Sequence, residues 1–146
     1  MNSMTESEDQ FLIDTNILVY AYEKEASAKK DKAKNLLDEC ISGARQFAIS
    51  SQNLSEFVSV TTRKDKLSID EAKNLIVKMA QFDGFKKINY GAETIPLALD
   101  IVQQFKISFW DALIAATMRE NGIFNIYTEN VNDFKIPWIK AVNPLK

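Results

Sequence analysis

Phe11-Leu12-Ile13-Asp14-Thr15-Asn16-Ile17-Leu18-Val19-Tyr20 decides the fold. Three apolar residues make a short strand that closes on an acid. Asn16 can then cap a helix over Ile17 to Glu23. A strand running through polar turn residues into a helix is the opening of a βα unit. Further along, Gln46 to Ser50, Lys86 to Asn89, Phe124 to Thr128 and Trp138 to Val142 read as strands. Between them lie helical stretches. Ser27 to Ser42 places Ala33, Leu36, Leu37, Cys40 and Ile41 on one stripe, and Gly43 stops it. Asn53 to Lys64 carries Leu54, Phe57, Val58 and Thr61 on one face. Ser68 and Glu71 have capping-box spacing for a helix ending near Ala80. Ala92 to Phe105 and Phe109 to Asn121 complete the set. Alternation of this kind predicts an α/β architecture built as a three-layer α/β/α sandwich around a mostly parallel sheet.

The chain has 146 residues, which fits one domain with a real core. Residues 1–10 are polar and acidic, unlike a signal peptide, and are expected to form a disordered leader before a domain spanning 11–146. No apolar run reaches membrane-spanning length. The lone Cys40 cannot form an internal disulfide and reads as a small core residue, so a cytoplasmic location is expected. With no histidine, every His-based triad, general base or zinc-His site is excluded. The net charge of −2 offers no overall basic footprint for a polyanion. Local lysines, such as those in Lys29 to Lys34 or Arg63 to Lys66, would have to serve, although Lys-rich helix faces are often merely solvated. Phe82 and Phe85 can stack bases, but core packing explains them as simply.

Four acids fall near strand ends or helix starts: Asp14, Glu56, Asp111 and Asp133. In an open parallel sheet, ligands bind outside the carboxyl ends of the strands. An all-oxygen set without His or Cys suits Mg²⁺ or Mn²⁺ and points to metal-dependent hydrolysis of phosphate esters. Each acid also has a plainer explanation. Asp14, Thr15 and Asn16 are all capping or turn residues; two capping-capable neighbours beside Asp14 would free its carboxylate. Glu56 three residues after Asn53, and Asp111 three after Ser108, match helix-initiation spacing, which would put both acids in a first turn near the positive end of the dipole. Asp111 is the single charge within Phe109 to Ala115. Asp133 can equally be a turn residue.

Asp14-Thr15-Asn16, Ser55-Glu56-Phe57, Ser108 to Ala116 (SFWDALIAA) and Thr128 to Phe134 (TENVNDF) together resemble a PIN-domain ribonuclease of the VapC-like toxin group. The likeness runs from about Phe11 to Pro144. It implies a five-stranded parallel sheet and hydrolysis of RNA phosphodiesters to a 5′-phosphate and a 3′-hydroxyl. It implies one or two Mg²⁺ or Mn²⁺ ions at Asp14, Asp111, Glu56 and Asp133, supported by Thr15, Asn16, Ser108, Thr128 and Asn130. It also implies a homodimer and a small antitoxin partner. Many relatives carry an acid where this chain has Asn130. That departure and the acidic net charge leave a catalytically weak or inactive interaction module as the alternative. A phosphoacceptor receiver would need a second acid beside Asp14, and a haloacid-dehalogenase-like phosphatase an Asp-x-Asp; this chain has neither.

Overall fold

The computed structural model describes residues 10–63 and 66–146. The expected leader therefore lies outside the described residues except for Gln10. β1 (Phe11–Ile13) leads into α1 (Thr15–Ala21) and α2 (Ala28–Ile41). β2 (Phe47–Ser50) is followed by α3 (Ser51–Arg63) and α4 (Ile69–Gln81), and β3 (Phe85–Ile88) by α5 (Thr94–Phe105) and α6 (Phe109–Glu120). β4 (Asn125–Tyr127), a 3-10 turn (Val131–Phe134) and β5 (Lys140–Val142) complete the chain. The sheet runs β3-β2-β1-β4-β5, and every pairing is parallel.

Side-chain alternation sorts the central strands into two cores. Ile13, Phe47, Ile49 and Tyr127 face α1 to α4, whereas Leu12, Ala48 and Ile126 face α5 and α6. Both faces of this sheet are thus covered, as parallel sheets require. Cys40 is fully buried, and its thiol donates to the Gly84 carbonyl. Phe85 is buried and packs edge-on against Phe82, so the pair serves the core.

Several expectations shift. Asp14 itself caps α1, accepting from the Thr15 N–H at 2.8 Å, so the helix begins at Thr15 and Asn16 lies inside it. The carboxylate is therefore not released from capping by its neighbours. α3 starts at Ser51, directly after β2, because the Ser50 hydroxyl accepts from the Asn53 N–H at 3.0 Å. Glu56 consequently stands in the second turn, beyond the strongest part of the dipole. Ile41 is 60% exposed and leaves the stripe that Leu37 and Cys40 share. The Ser68–Glu71 capping box forms in full, and Gly43 ends α2 at φ 84°. β4 and β5 are each two residues shorter than expected, β5 beginning at Lys140 rather than Trp138, and β3 keeps its length but starts one residue earlier, at Phe85.

Candidate functional site

The order of connections reverses at β1: β2 and β3 extend the sheet to one side, β4 and β5 to the other. Such a reversal opens a crevice beyond the strand ends. Asp14 follows β1 there and Thr128 follows β4, and the Thr128 hydroxyl donates to Asp14 Oδ2 at 2.7 Å. Asn16 Nδ2 reaches the same oxygen at 3.5 Å. The other oxygen, Oδ1, accepts from the Thr15 N–H and from Asn53 Nδ2 at 3.3 Å. Asp14 is thus fixed from three elements.

Around it opens a cleft of about 350 Å³ lined by six acids: Asp14, Glu23, Glu56, Asp111, Glu129 and Asp133. Two of the six are neutralised. Glu23 pairs with Lys66 at 2.5 Å and Glu129 with Lys29 at 2.6 Å. Asp14, Glu56, Asp111 and Asp133 have no ion-pair partner among the described residues. The structure therefore gathers the four acids expected from the sequence, from the start of α1, the middle of α3, the start of α6 and the 3-10 turn.

Burial pushes the Asp14 carboxyl up from its ordinary range, against the pull of the Thr128 and Thr15 hydrogen bonds; Asp111 and Asp133 add repulsion. Burial also raises Glu56, with the Asp14 charge next, and one oxygen, Oε1, is buried without a hydrogen-bond partner. Asp111 is raised first by burial, and Asp133 repels it, while the Ser108 hydroxyl donating at 2.9 Å works the other way. Ser108 also caps α6 by accepting from the Asp111 N–H, which places Asp111 in that helix's first turn. Asp111 is only half-buried, and Trp110 beside it is 60% exposed. Asn130 and Asp133 are exposed on the rim. The Asn130 N–H donates to the Thr128 hydroxyl at 3.0 Å.

The donor set is all oxygen, anionic and short of cations, with one buried oxygen unpartnered, which fits a hard divalent ion. Among the described residues no three acids are gathered tightly enough to hold an ion unaided. Water and substrate oxygens would complete the shell, as Mg²⁺ sites usually require.

Asn53 is the residue the sequence did not mark. It is fully buried, and its amide bridges Asp14 to Thr15 Oγ1 at 3.1 Å while its oxygen accepts from Ser50 at 2.6 Å. The available signal was its place, with Phe57 and Thr61, on the buried stripe of α3. Tyr20, Glu23 and Glu129 were also missed; Tyr20 donates to Glu129 at 3.1 Å. Of the anticipated phosphate-contact stretch, Lys64 and Asp65 lie outside the described residues, Arg63 is exposed, and Lys66 lines the cleft.

A five-stranded parallel α/β domain with acids converging at its switch point is thereby defined. The PIN domain family model matches residues 11–135, and the chain belongs to the PIN domain family. Solved structures share the fold. A toxin–antitoxin complex from Klebsiella pneumoniae is 24% identical with a TM-score of 0.66, covering 92% of this chain and 97% of the other. VapBC2 from Rickettsia felis, bound to a DNA fragment from its promoter, is 22% identical at 0.64, covering 92% and 98%. The sarcin-ricin-loop-cleaving toxin VapC20 of Mycobacterium tuberculosis is 19% identical at 0.63, covering 81% and 88%. No curated protein sequence matches the chain. No helix among the described residues is long and apolar enough to cross a membrane.

Proposed function

We propose that the chain is a Mg²⁺- or Mn²⁺-dependent endoribonuclease, the toxin of a toxin–antitoxin pair, with residues 11–146 as its nuclease unit. The observation that carries this reading is the set of four acids without cationic partners, drawn from four elements around one cleft at the switch point. Asp14, Asp111, Glu56 and Asp133 would hold one or two ions, directly or through water. When bound, such an ion lowers the pKa of a water, orients it toward the phosphate and offsets the growing charge. No histidine is then needed.

The chain's own residues do the positioning. Thr128, Asn53 and the Thr15 N–H hold both oxygens of Asp14 in one orientation. Ser108 steadies Asp111 in the first turn of α6. Asn16 and Asn130 gather around Thr128 and keep its hydroxyl in place. Lys66 is the cation on the wall, and it offsets Glu23 there. The toxin–antitoxin and VapBC assemblies among the structural relatives support a small antitoxin as partner.

The deciding experiment is cleavage of single-stranded RNA with Mg²⁺ or Mn²⁺, beside a chelator control. Metal-dependent cutting that yields 5′-phosphate ends is the expected result. RNA left intact at saturating metal would assign the chain to the inactive interaction modules that Asn130 suggests.

A further inference from the structure

Beside the acidic cleft lies a second one of about 570 Å³, and Glu56 stands in the wall between them. Its other lining includes Gln52, Ser55, Asn89, Tyr90 and Trp110. Trp110 is 60% exposed and Tyr90 37% exposed, so two aromatic side chains meet solvent here, one of them adjacent in sequence to Asp111. Gln52 Nε2 donates to the Trp110 carbonyl at 3.1 Å, which fixes the sense of the amide. Its Oε1 is then left buried with no hydrogen-bond partner. A buried acceptor in that state calls for an N–H from outside.

We propose that this second cleft is the subsite for an unpaired nucleobase flanking the scissile phosphate of single-stranded RNA, stacked on Trp110 and met along its edge by Gln52 and Asn89. The inference rests on the ribonuclease reading and adds to it where the strand lies. Among the described residues the lining contains no lysine or arginine, and it does contain the Glu56 carboxylate, so it repels backbone phosphate but accepts a neutral ring bearing N–H donors. Aromatic faces beside amide edges are what unstacked bases use in RNA recognition. Guanine, adenine and cytosine present an exocyclic amine and uracil an imide N–H. Gln52 Oε1 therefore selects a base edge without selecting one base.

The chain has two tryptophans, and Trp138 packs elsewhere, edge-on to Phe124 and under Arg119. Trp138→Phe therefore leaves Trp110 as a single reporter. In an Asp111→Asn background, which prevents cleavage, the protein is titrated with a dye-labelled single-stranded RNA and with an abasic ribose-phosphate strand of equal length. Binding is followed by anisotropy and stacking by tryptophan emission. The RNA should quench Trp110. The abasic strand should bind roughly tenfold more weakly without quenching, and Trp110→Ala should reduce RNA affinity to the abasic level. RNA that binds with Trp110 emission unchanged, and equally well to Trp110→Ala, overturns the subsite and leaves the ribonuclease reading standing. Failure of any RNA to bind overturns both. A concentration-dependent emission shift without RNA assigns the cleft to a second copy of the chain and also overturns it.

Discussion

Thr128 donates its hydroxyl to Asp14 Oδ2 at 2.7 Å, tying the end of β4 to the end of β1 where the sheet's connections turn back. Asn53 holds the opposite oxygen from α3. A carboxylate so held cannot rotate away from its neighbours, although burial and repulsion both favour its protonated form. The clamp keeps the charge where a cation would need it.

Thr128→Val preserves shape and removes the donor. Metal affinity and cleavage should fall by about 10–100-fold, the usual effect of losing a hydrogen bond behind a ligand. Asn53→Ala should in addition lower metal-free stability by about 1–3 kcal/mol, because the fully buried site leaves the Ser50 hydroxyl without its acceptor. Calorimetric Mn²⁺ titration and thermal unfolding check the two effects. Wild-type metal affinity in Thr128→Val would show that the bond is structural only.

Asp111→Asn retains an oxygen for Ser108 and removes one charge from the cleft. Cleavage should drop by more than the 10–100-fold that a supporting residue is worth, roughly to background. Metal-free stability should hold or rise, since Asp133 loses a like-charged neighbour. Wild-type cleavage rates in this variant would remove Asp111 from the site.

Most of this architecture was legible because it follows short-range rules. The βα alternation gave the layers, and Ser68 with Glu71 gave a helix start that forms as read. Asp14, Asp111 and Asp133 were visible because each stands close to a strand end or helix start, and Glu56 because Asn53, three residues before it, read as a helix start. Asn53 was not, since its role depends on contacts with Ser50, Asp14 and Thr15 that only the folded sheet brings together. Capping by Asp14 was among the readings of the sequence, but the role was given to Asn16, and Asp14 takes it. Three adjacent residues can all cap, and only β1's pairing with β4, through the Asp14 N–H to the Tyr127 carbonyl at 3.0 Å, sets which one does.

Stability should depend on pH in a direction the raised carboxyls fix. Asp14, Glu56 and Asp111 hold their protons more tightly folded than unfolded, chiefly because of burial. The folded state then binds more protons between the ordinary value of about 4 and the raised values, so stability falls as pH rises through that window. Metal-free protein should gain melting temperature as pH drops through that window, and saturating Mg²⁺ should flatten or reverse that slope. A metal-free slope of the opposite sign would mean that the acids are better stabilised than their surroundings indicate.

The homodimer that the resemblance implies needs an exposed apolar surface, and the phenylalanines do not supply it. Phe85 is buried, and Phe82, Phe105 and Phe109 pack against the two cores. Ile95 and Leu99, one turn apart on α5, are 36% and 51% exposed and offer apolar area on one face instead. Light scattering at high micromolar concentration should give about twice the 16.6 kDa chain mass, and Ile95→Lys with Leu99→Lys should restore the monomer. A wild-type monomer at that concentration rules the dimer out.

The fourth corner of the site sits on the rim, where Asp133 and Asn130 both line the cleft and both are exposed. Mg²⁺ is usually held by few carboxylates plus water and phosphate, so one charge more or less within reach changes affinity strongly. If Asp133 is the fourth carboxylate, Asp133→Asn should cost much activity, and Asn130→Asp should cost little or tighten metal binding. The backbone supports this order: Asn130 uses its N–H on Thr128. Asp133 already acts on Asp14 and Asp111 through its charge. Mn²⁺ calorimetry and cleavage rates for both variants decide it. A silent Asp133→Asn with a sharply more active Asn130→Asp would show instead that the fourth corner was emptied at position 130.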